Sequence, residues 1–166
     1  MVEKTNAARW IETRGVEHRV TVYDAARAFH SADEAAALLG APAERVYKTL
    51  VVLREGNPRA KPLLVMIASD RQLDLKLLAK ELGEKKLRMA SQREAEALTG
   101  LQVGGISALA VRPGAFQVLL DAGARAHPRI HISAGVRGVD LELAVDDLVA
   151  VTKGRVVRAV AEGGDP

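Results

Sequence analysis

The chain contains no cysteine, which excludes disulfides, thiolate metal sites, iron–sulfur clusters and a cysteine nucleophile together. Histidine is scarce as well, at four residues, so metal chemistry is poorly supplied. Aromatic side chains are limited to Trp10, Tyr23, Phe29, Tyr47 and Phe116, too few for a surface that grips single-stranded nucleic acid by serial base stacking. Any RNA contact is therefore expected at a backbone or a terminus. No apolar run approaches the roughly 20 residues that cross a bilayer, and Met1-Val2-Glu3-Lys4 leads into polar sequence without a secretory core. The expected location is cytoplasmic, with no membrane partner. Internal repeats and low-complexity linkers are missing too, so one domain is expected over 1–161, followed by a flexible tail over 162–166.

What is present is the material of a folded domain: 166 residues, 48% of them apolar and 27% charged. Lysine and arginine number 24 against 21 acidic residues, a net +3 that permits attraction to phosphate without demanding it. Thr5 to Arg14 reads as a first helix closed by Gly15, and a strand follows with Val20 and Val22 on one face. Ser31 and Glu34 have capping-box spacing ahead of a short helix ending at Gly40. Leu50–Leu53 and Leu63–Ile67 are unbroken apolar runs, the signature of two buried strands at the centre of a sheet. Asp74 stands at an N-cap position, Leu75, Leu78, Ala79 and Leu82 share one helical face, and Gly83 stops the helix. Ser91 and Glu94 form another capping box before a helix ending at Gly100. Strands are expected over Ile106–Val111, Phe116–Leu120, Arg129–Ser133, Val139–Leu143 and Arg155–Ala161, with a short helix around Asp146–Val151. The irregular alternation favours an α+β fold with a mixed, curled, barrel-like sheet and surrounding helices.

Three features bear on chemistry. Lys48 opens an apolar strand, and alternation puts it on the face of Leu50 and Val52. It is either a strand-end lysine whose stem lies on apolar surface or a cation that clamps a phosphate or a carbonyl. Val103-Gly104-Gly105-Ile106-Ser107 is either a tight turn or a loop whose amides approach an oxyanion, and it lacks the downstream glycine and lysine of a phosphate-binding Walker loop. Ser133-Ala134-Gly135-Val136-Arg137-Gly138-Val139-Asp140 gathers a hydroxyl, a guanidinium and a carboxylate in one turn, as a ligand wall or as a solvated hairpin.

Other arrangements are weaker. Ser107, Ser133, His131 and Asp140 supply the residue types of a serine hydrolase, but G-x-S-x-G is missing and His131 lies too close to Ser133 along one strand. His127 and His131 have metal-like spacing without a third ligand, and Pro128 argues against a helix between them, so no metal is expected. Lys76, Lys80, Lys85, Lys86 and Arg88 form a basic stretch, read as a solvated face or a phosphate contact.

Taken in order, Val46-Tyr47-Lys48-Thr49-Leu50, Gln72-Leu73-Asp74-Leu75-Lys76, Thr99 through Ser107 and Ser133 through Leu143 resemble the motifs of the YbaK family of aminoacyl-tRNA deacylases. These are relatives of the editing domain of bacterial prolyl-tRNA synthetases. The chain is most similar to the branch that removes cysteine from proline tRNA. The resemblance implies a trans-acting editing factor that takes the 3′ end of an aminoacyl-tRNA, without a cofactor, membrane or DNA partner, and with prolyl-tRNA synthetase as a recruiting partner. It makes Lys48 the essential lysine and carries the pocket over to Tyr23, Thr49, Gly104, Ser133, Gly135 and Asp140. Gly105, Ile106, Ser107 and Arg137 join them from the same motifs. The implied reaction is substrate-assisted: the cysteine thiol attacks its own ester carbonyl, while Lys48 holds phosphate or carbonyl and the Gly104-Gly105-Ile106 backbone receives the oxyanion. The chain departs from the family at Ser107-Ala108-Leu109-Ala110, where Ser-Pro-Leu-Gly is usual, and at Ser133-Ala134-Gly135, where Ser-Gly-Gly is usual. It also has Ser31 where an aromatic is expected, which Phe29 replaces after a small shift. An alanine- or serine-directed deacylase, a non-catalytic module that binds tRNA or a synthetase, and an unrelated RNA-independent hydrolase are the competing readings.

Overall fold

A computed structural model describes residues 4–24, 26, 32–57 and 59–161. Phe29, Ser31 and the expected tail over 162–166 lie outside the described residues. The fold is α+β. Its central element is the antiparallel pair β2 (Tyr47–Arg54) and β3 (Leu63–Ala68), the two apolar runs joined across the loop after Arg54. To this pair are added β4 (Leu87–Met89), β5 (Gln117–Asp121) and β8 (Arg155–Val157), in the order β4-β2-β3-β5-β8, with β3–β5 and β5–β8 parallel. A second, antiparallel sheet has the order β1-β7-β6, formed by His18–Val22, Val139–Ala144 and Arg129–Ser133. The expected mixed sheet thus curls as two sheets that meet at one bridge, Val46 with His131, and does not close.

β3 is buried along its whole length because it feeds a core on each face. Leu64 and Met66 join Ile130, Ile132, Leu141 and Leu143 of the smaller sheet, together with Ile11 of α1 (Asn6–Thr13), Ala95 of α4 (Gln92–Thr99) and Leu148 of α5 (Val145–Thr152). Leu63, Val65 and Ile67 face the opposite way and are covered by Leu78 and Ala79 of α3 (Leu75–Leu82). Two of the three sequence-marked helix caps are realised, the third, at Ser31, lying outside the described residues. The Asp74 carboxylate accepts the Leu77 amide at 3.0 Å, and Ser91 and Glu94 exchange the two bonds of a capping box at 3.1 and 3.0 Å. α2 (Ala32–Leu39) precedes a single 3₁₀ turn over Ala43–Arg45, which delivers the chain to β2.

Two expected strands differ. Ile106–Val111 is not a strand, because the Ser107 hydroxyl accepts the Leu109 amide at 3.1 Å and the Ser107 carbonyl accepts that of Ala110 at 3.1 Å, folding the run into a turn. The last strand stops at Val157: the Ala159 amide turns to the Asp121 carboxylate at 2.9 Å, and its carbonyl accepts the amide of Asp74. β4 was not expected at all, since three residues after a basic stretch carry too short a pattern to read.

Candidate active site

The site arises where a strand edge is left unpaired. One edge of β2 is paired with β3 from Tyr47 to Val52. Its other edge is taken at one end by β4, from Val52 onward, and at the other by the bridge from Val46 to His131. The Val51 carbonyl, which accepts the Ala90 amide at 3.0 Å, lies on this second edge, so alternation turns the main-chain groups of Thr49 to the same side. There the larger sheet, the smaller sheet and the start of α4 enclose a cavity of about 410 Å³, the size of a small-molecule site.

Four separated stretches of the sequence meet in it. From β2 come Lys48 and Thr49; from the loop after α4, Gly104 and Ile106; from the smaller sheet, Tyr23, Ser133, Arg137 and Asp140. Lys48 is half-buried and shares its face with Leu50 and Val52, as alternation predicts, while a cavity at a strand edge is reached from both faces. The Thr49 hydroxyl is buried with no hydrogen-bond partner among the described residues. Ser133 and Asp140 are cross-strand partners, and Thr21 lies opposite Asp140 on β1, just before Tyr23. The Ser133 hydroxyl accepts the Gly135 amide at 3.1 Å, which shapes the turn.

Burial dominates the electrostatics. Asp140 is 5% exposed, and loss of solvent pushes its carboxyl up to about 7. The Tyr23 phenol is raised by burial first and by the neighbouring Asp140 charge second, and so stays a neutral donor. Tyr47, which also lines the cavity, is raised by burial and then by Asp121, Asp70 and Glu44.

Several candidates take other roles. Gly105 does not line the cavity: its amide donates to the Gln102 carbonyl at 2.8 Å, and a Cβ there would stand 2.9 Å from the Arg137 nitrogen. Its glycine serves loop-to-loop packing, which leaves Gly104 and Ile106 as the cavity-lining residues of that loop, their amides without an acceptor among the described residues. Ser107 is fully buried in the turn it caps and is not at the cavity. Gly135 also stands behind the wall. It has φ +94°, and a Cβ would come within 2.7 Å of the Ala110 methyl, so Ala110, which varies from the family pattern, packs against a glycine that keeps it. Ala134 is completely buried, its added methyl accommodated in the core.

No serine–histidine pair forms among the described residues. His131 Nε2 lies 3.3 Å from Glu142, and burial lowers the imidazole's proton affinity. Among the basic stretch, Arg88 is held bidentately by Glu94 at 2.8 and 2.7 Å, Lys86 meets Glu55 at 3.2 Å, and none of the five lines the cavity. A larger hollow of about 510 Å³ at the far end of β2 is lined by Arg54 and the Arg88–Glu94 pair, and holds none of the candidate residues. Sequence reasoning missed the apolar walls, Met89, Ala95, Val46 and Ala35, because they come from elements whose approach to β2 no local pattern announces.

The cavity thus gathers Lys48, the buried Thr49 hydroxyl, the buried Asp140 carboxyl and the glycine-opened loop after α4. The sequence matches the family model of the aminoacyl-tRNA editing domain over residues 26–151, and the chain belongs to that family. It is 35% identical, over 92% of its length and 91% of the relative's, to EbsC of Enterococcus faecalis, which carries the name of a Cys-tRNA(Pro)/Cys-tRNA(Cys) deacylase. It is 28% identical to the multifunctional Ser/Thr-tRNA deacylase ProXp-y of Escherichia coli K12, over 62% of this chain and 60% of the relative. A crystal structure described as a trans-editing enzyme for prolyl-tRNA synthetase superposes with a TM-score of 0.79 at 25% identity, covering 96% of this chain and 99% of that one.

Proposed function

We propose that this protein is a trans-acting aminoacyl-tRNA deacylase that clears cysteine from proline tRNA, with the cysteine thiol as the attacking group. The observation that carries the reading is the convergence of Lys48, Thr49, Gly104, Ile106, Ser133 and Asp140 on one cavity, with no serine–histidine pair among the described residues that line it. The similarity to EbsC supports cysteine as the cargo. In the reaction a carbon–sulfur bond forms as the ester carbon–oxygen bond breaks, and the thiol proton passes to the departing ribose oxygen. The protein contributes alignment, which is worth most when the attacking group is already tethered to its target. Lys48 draws the terminal phosphate or the polarised carbonyl, the Gly104 and Ile106 amides face the developing oxyanion, and Ser133 and Asp140 hold the α-amino group and terminal adenosine. Phe29, Gly105, Ser107, Gly135 and Arg137 complete the proposed substrate-binding set, all but Phe29 by shaping its walls. Cysteine and proline are close in size, and an apolar difference of one group separates them by only about 1–3 kcal/mol, so a second sieve that reads the thiol by its chemistry is physically warranted.

The likeness to a Ser/Thr-tRNA deacylase favours one other reading, a hydroxyl- or alanine-directed editor in which water attacks. A deacylation panel of Cys-, Ala- and Ser-tRNA(Pro) separates the two. Cys-tRNA(Pro) is expected to be cleared fastest, and Lys48→Ala to slow it by about 100-fold. Unchanged turnover in that variant removes Lys48 from the mechanism, and a preference for Ser- or Ala-tRNA moves the protein to the second reading. Binding without turnover would make it a tRNA-end module.

A further inference from the structure

Val103 is held at both ends by side chains from different elements. Its amide donates to a Glu96 carboxylate oxygen on α4 at 2.9 Å, and its carbonyl accepts Arg137 Nε from the β6–β7 turn at 2.7 Å. The stem of Arg137 covers Gly104 so closely that a Cβ there would stand 3.2 Å from Nε and 3.4 Å from Cγ, and Gly105 packs on the backbone of Val136 and Arg137. The carbonyl held by Arg137 belongs to the same peptide group as the Gly104 amide. In a planar trans peptide the direction of one fixes the other, and a guanidinium on the carbonyl polarises the N–H at the opposite end.

We propose that Arg137 and Glu96 are positioning residues: together they clamp the two peptide groups flanking Val103 and so set the Gly104 amide that receives the ester's charge. Arg137 then acts through the loop instead of gripping substrate, and Glu96, which no motif marked, acts with it. The catalytic part of this inference rests on the deacylase reading; the clamp itself does not.

The test uses the full chain with Arg137→Ala, Arg137→Lys, Glu96→Ala and Glu96→Gln. Deacylation of Cys-tRNA(Pro) is measured for kcat and KM, and hydrogen exchange is followed over 101–107. Arg137→Ala is expected to lower kcat by about 10- to 100-fold with little change in KM, the range for disturbing one oxyanion donor, and added guanidinium ion to recover part of it. Arg137→Lys keeps the charge and the stem over Gly104 without the Nε donor to the Val103 carbonyl, and kcat should fall between wild type and the alanine variant. Glu96→Ala is expected to lower kcat less, and Glu96→Gln, which keeps an acceptor oxygen, to restore it. Exchange over 101–107 should quicken in both alanine variants while β3 stays protected. A raised KM at unchanged kcat in Arg137→Ala overturns the inference, since that marks a substrate contact. Glu96→Ala equal to wild type in both readouts overturns it also. If Arg137→Ala loses protection in β3 as well, the Glu96 pair decides, being on a partly exposed helix face. If wild type clears no aminoacyl-tRNA, the functional reading falls, and unquickened exchange would then overturn the clamp separately.

Discussion

Burial alone lifts Asp140 to about 7, which has a consequence for stability that can be signed. An aspartate in the unfolded chain titrates near 3.9, so between roughly pH 4 and 7 the folded state holds more protons than the unfolded one, and folding weakens as pH rises through that window. Above pH 7 the full cost of a buried, charged carboxylate remains, with a ceiling of about 4 kcal/mol for a three-unit displacement. Asp140→Asn should therefore be more stable than wild type at pH 8 and nearly equal to it at pH 4, in denaturant titrations at both values. An Asp140→Asn variant less stable than wild type at pH 8 would show that the carboxylate is stabilised by a partner instead. The residue scale also shows what a sequence can carry. The face of Lys48 follows from strand alternation, and the structure gives it that face. Gly105 was read as a ligand-facing amide and turns out to serve packing against Arg137, because a glycine needed for close approach looks the same whether a ligand or another loop approaches.

At the scale of elements, the turn between β6 and β7 and the loop after α4 form one wall, and the contact of Gly135 with Ala110 is where it is tightest. Gly135→Ala adds a methyl at 2.7 Å from another and forces an alanine to φ +94°, so a loss of about 1–3 kcal/mol is expected. Ala110→Gly in the same chain should return the steric share and leave the conformational share, giving a coupling of at least about 0.5 kcal/mol in a double-mutant cycle of unfolding free energies. Strict additivity would mean that the two loops do not press on each other. Helices and buried strands were legible here because caps and apolar runs are local: Asp74, Ser91 with Glu94, and Leu63–Ile67 each specify their element within a few residues. Ile106–Val111 misled for the same reason in reverse. An apolar run suits a strand, but Ser107 supplies the bonds of a turn, and the loop is buried by contacts far away in sequence.

At the scale of the molecule, the modest net charge and the two tyrosines at the cavity offer little with which to read tRNA bases. Base readout is worth about 1–3 kcal/mol per good contact, so without it the same aminoacyl group on two tRNAs should be cleared with kcat/KM values within about fivefold. Cys-tRNA(Pro) and Cys-tRNA(Cys) are the pair to compare, with and without prolyl-tRNA synthetase. Strong discrimination by the protein alone would require base contacts that the cavity does not provide, whereas discrimination gained on adding the synthetase would identify it as the source.

The cavity owes its existence to two sheets parting along β2, not to a hollow scooped from either hydrophobic core. Its walls combine rim residues such as Met89, 40% exposed, with buried ones that also belong to the core, Tyr47, Val51, Ala95 and Ile106. Trimming or enlarging a rim residue removes few buried contacts, so it avoids the cavity penalty that a core truncation carries. At the rim, pocket shape is thereby uncoupled from thermodynamic robustness, and a lineage built on this scaffold can vary Met89 freely while changes at Tyr47 or Ala95 would alter pocket and core together.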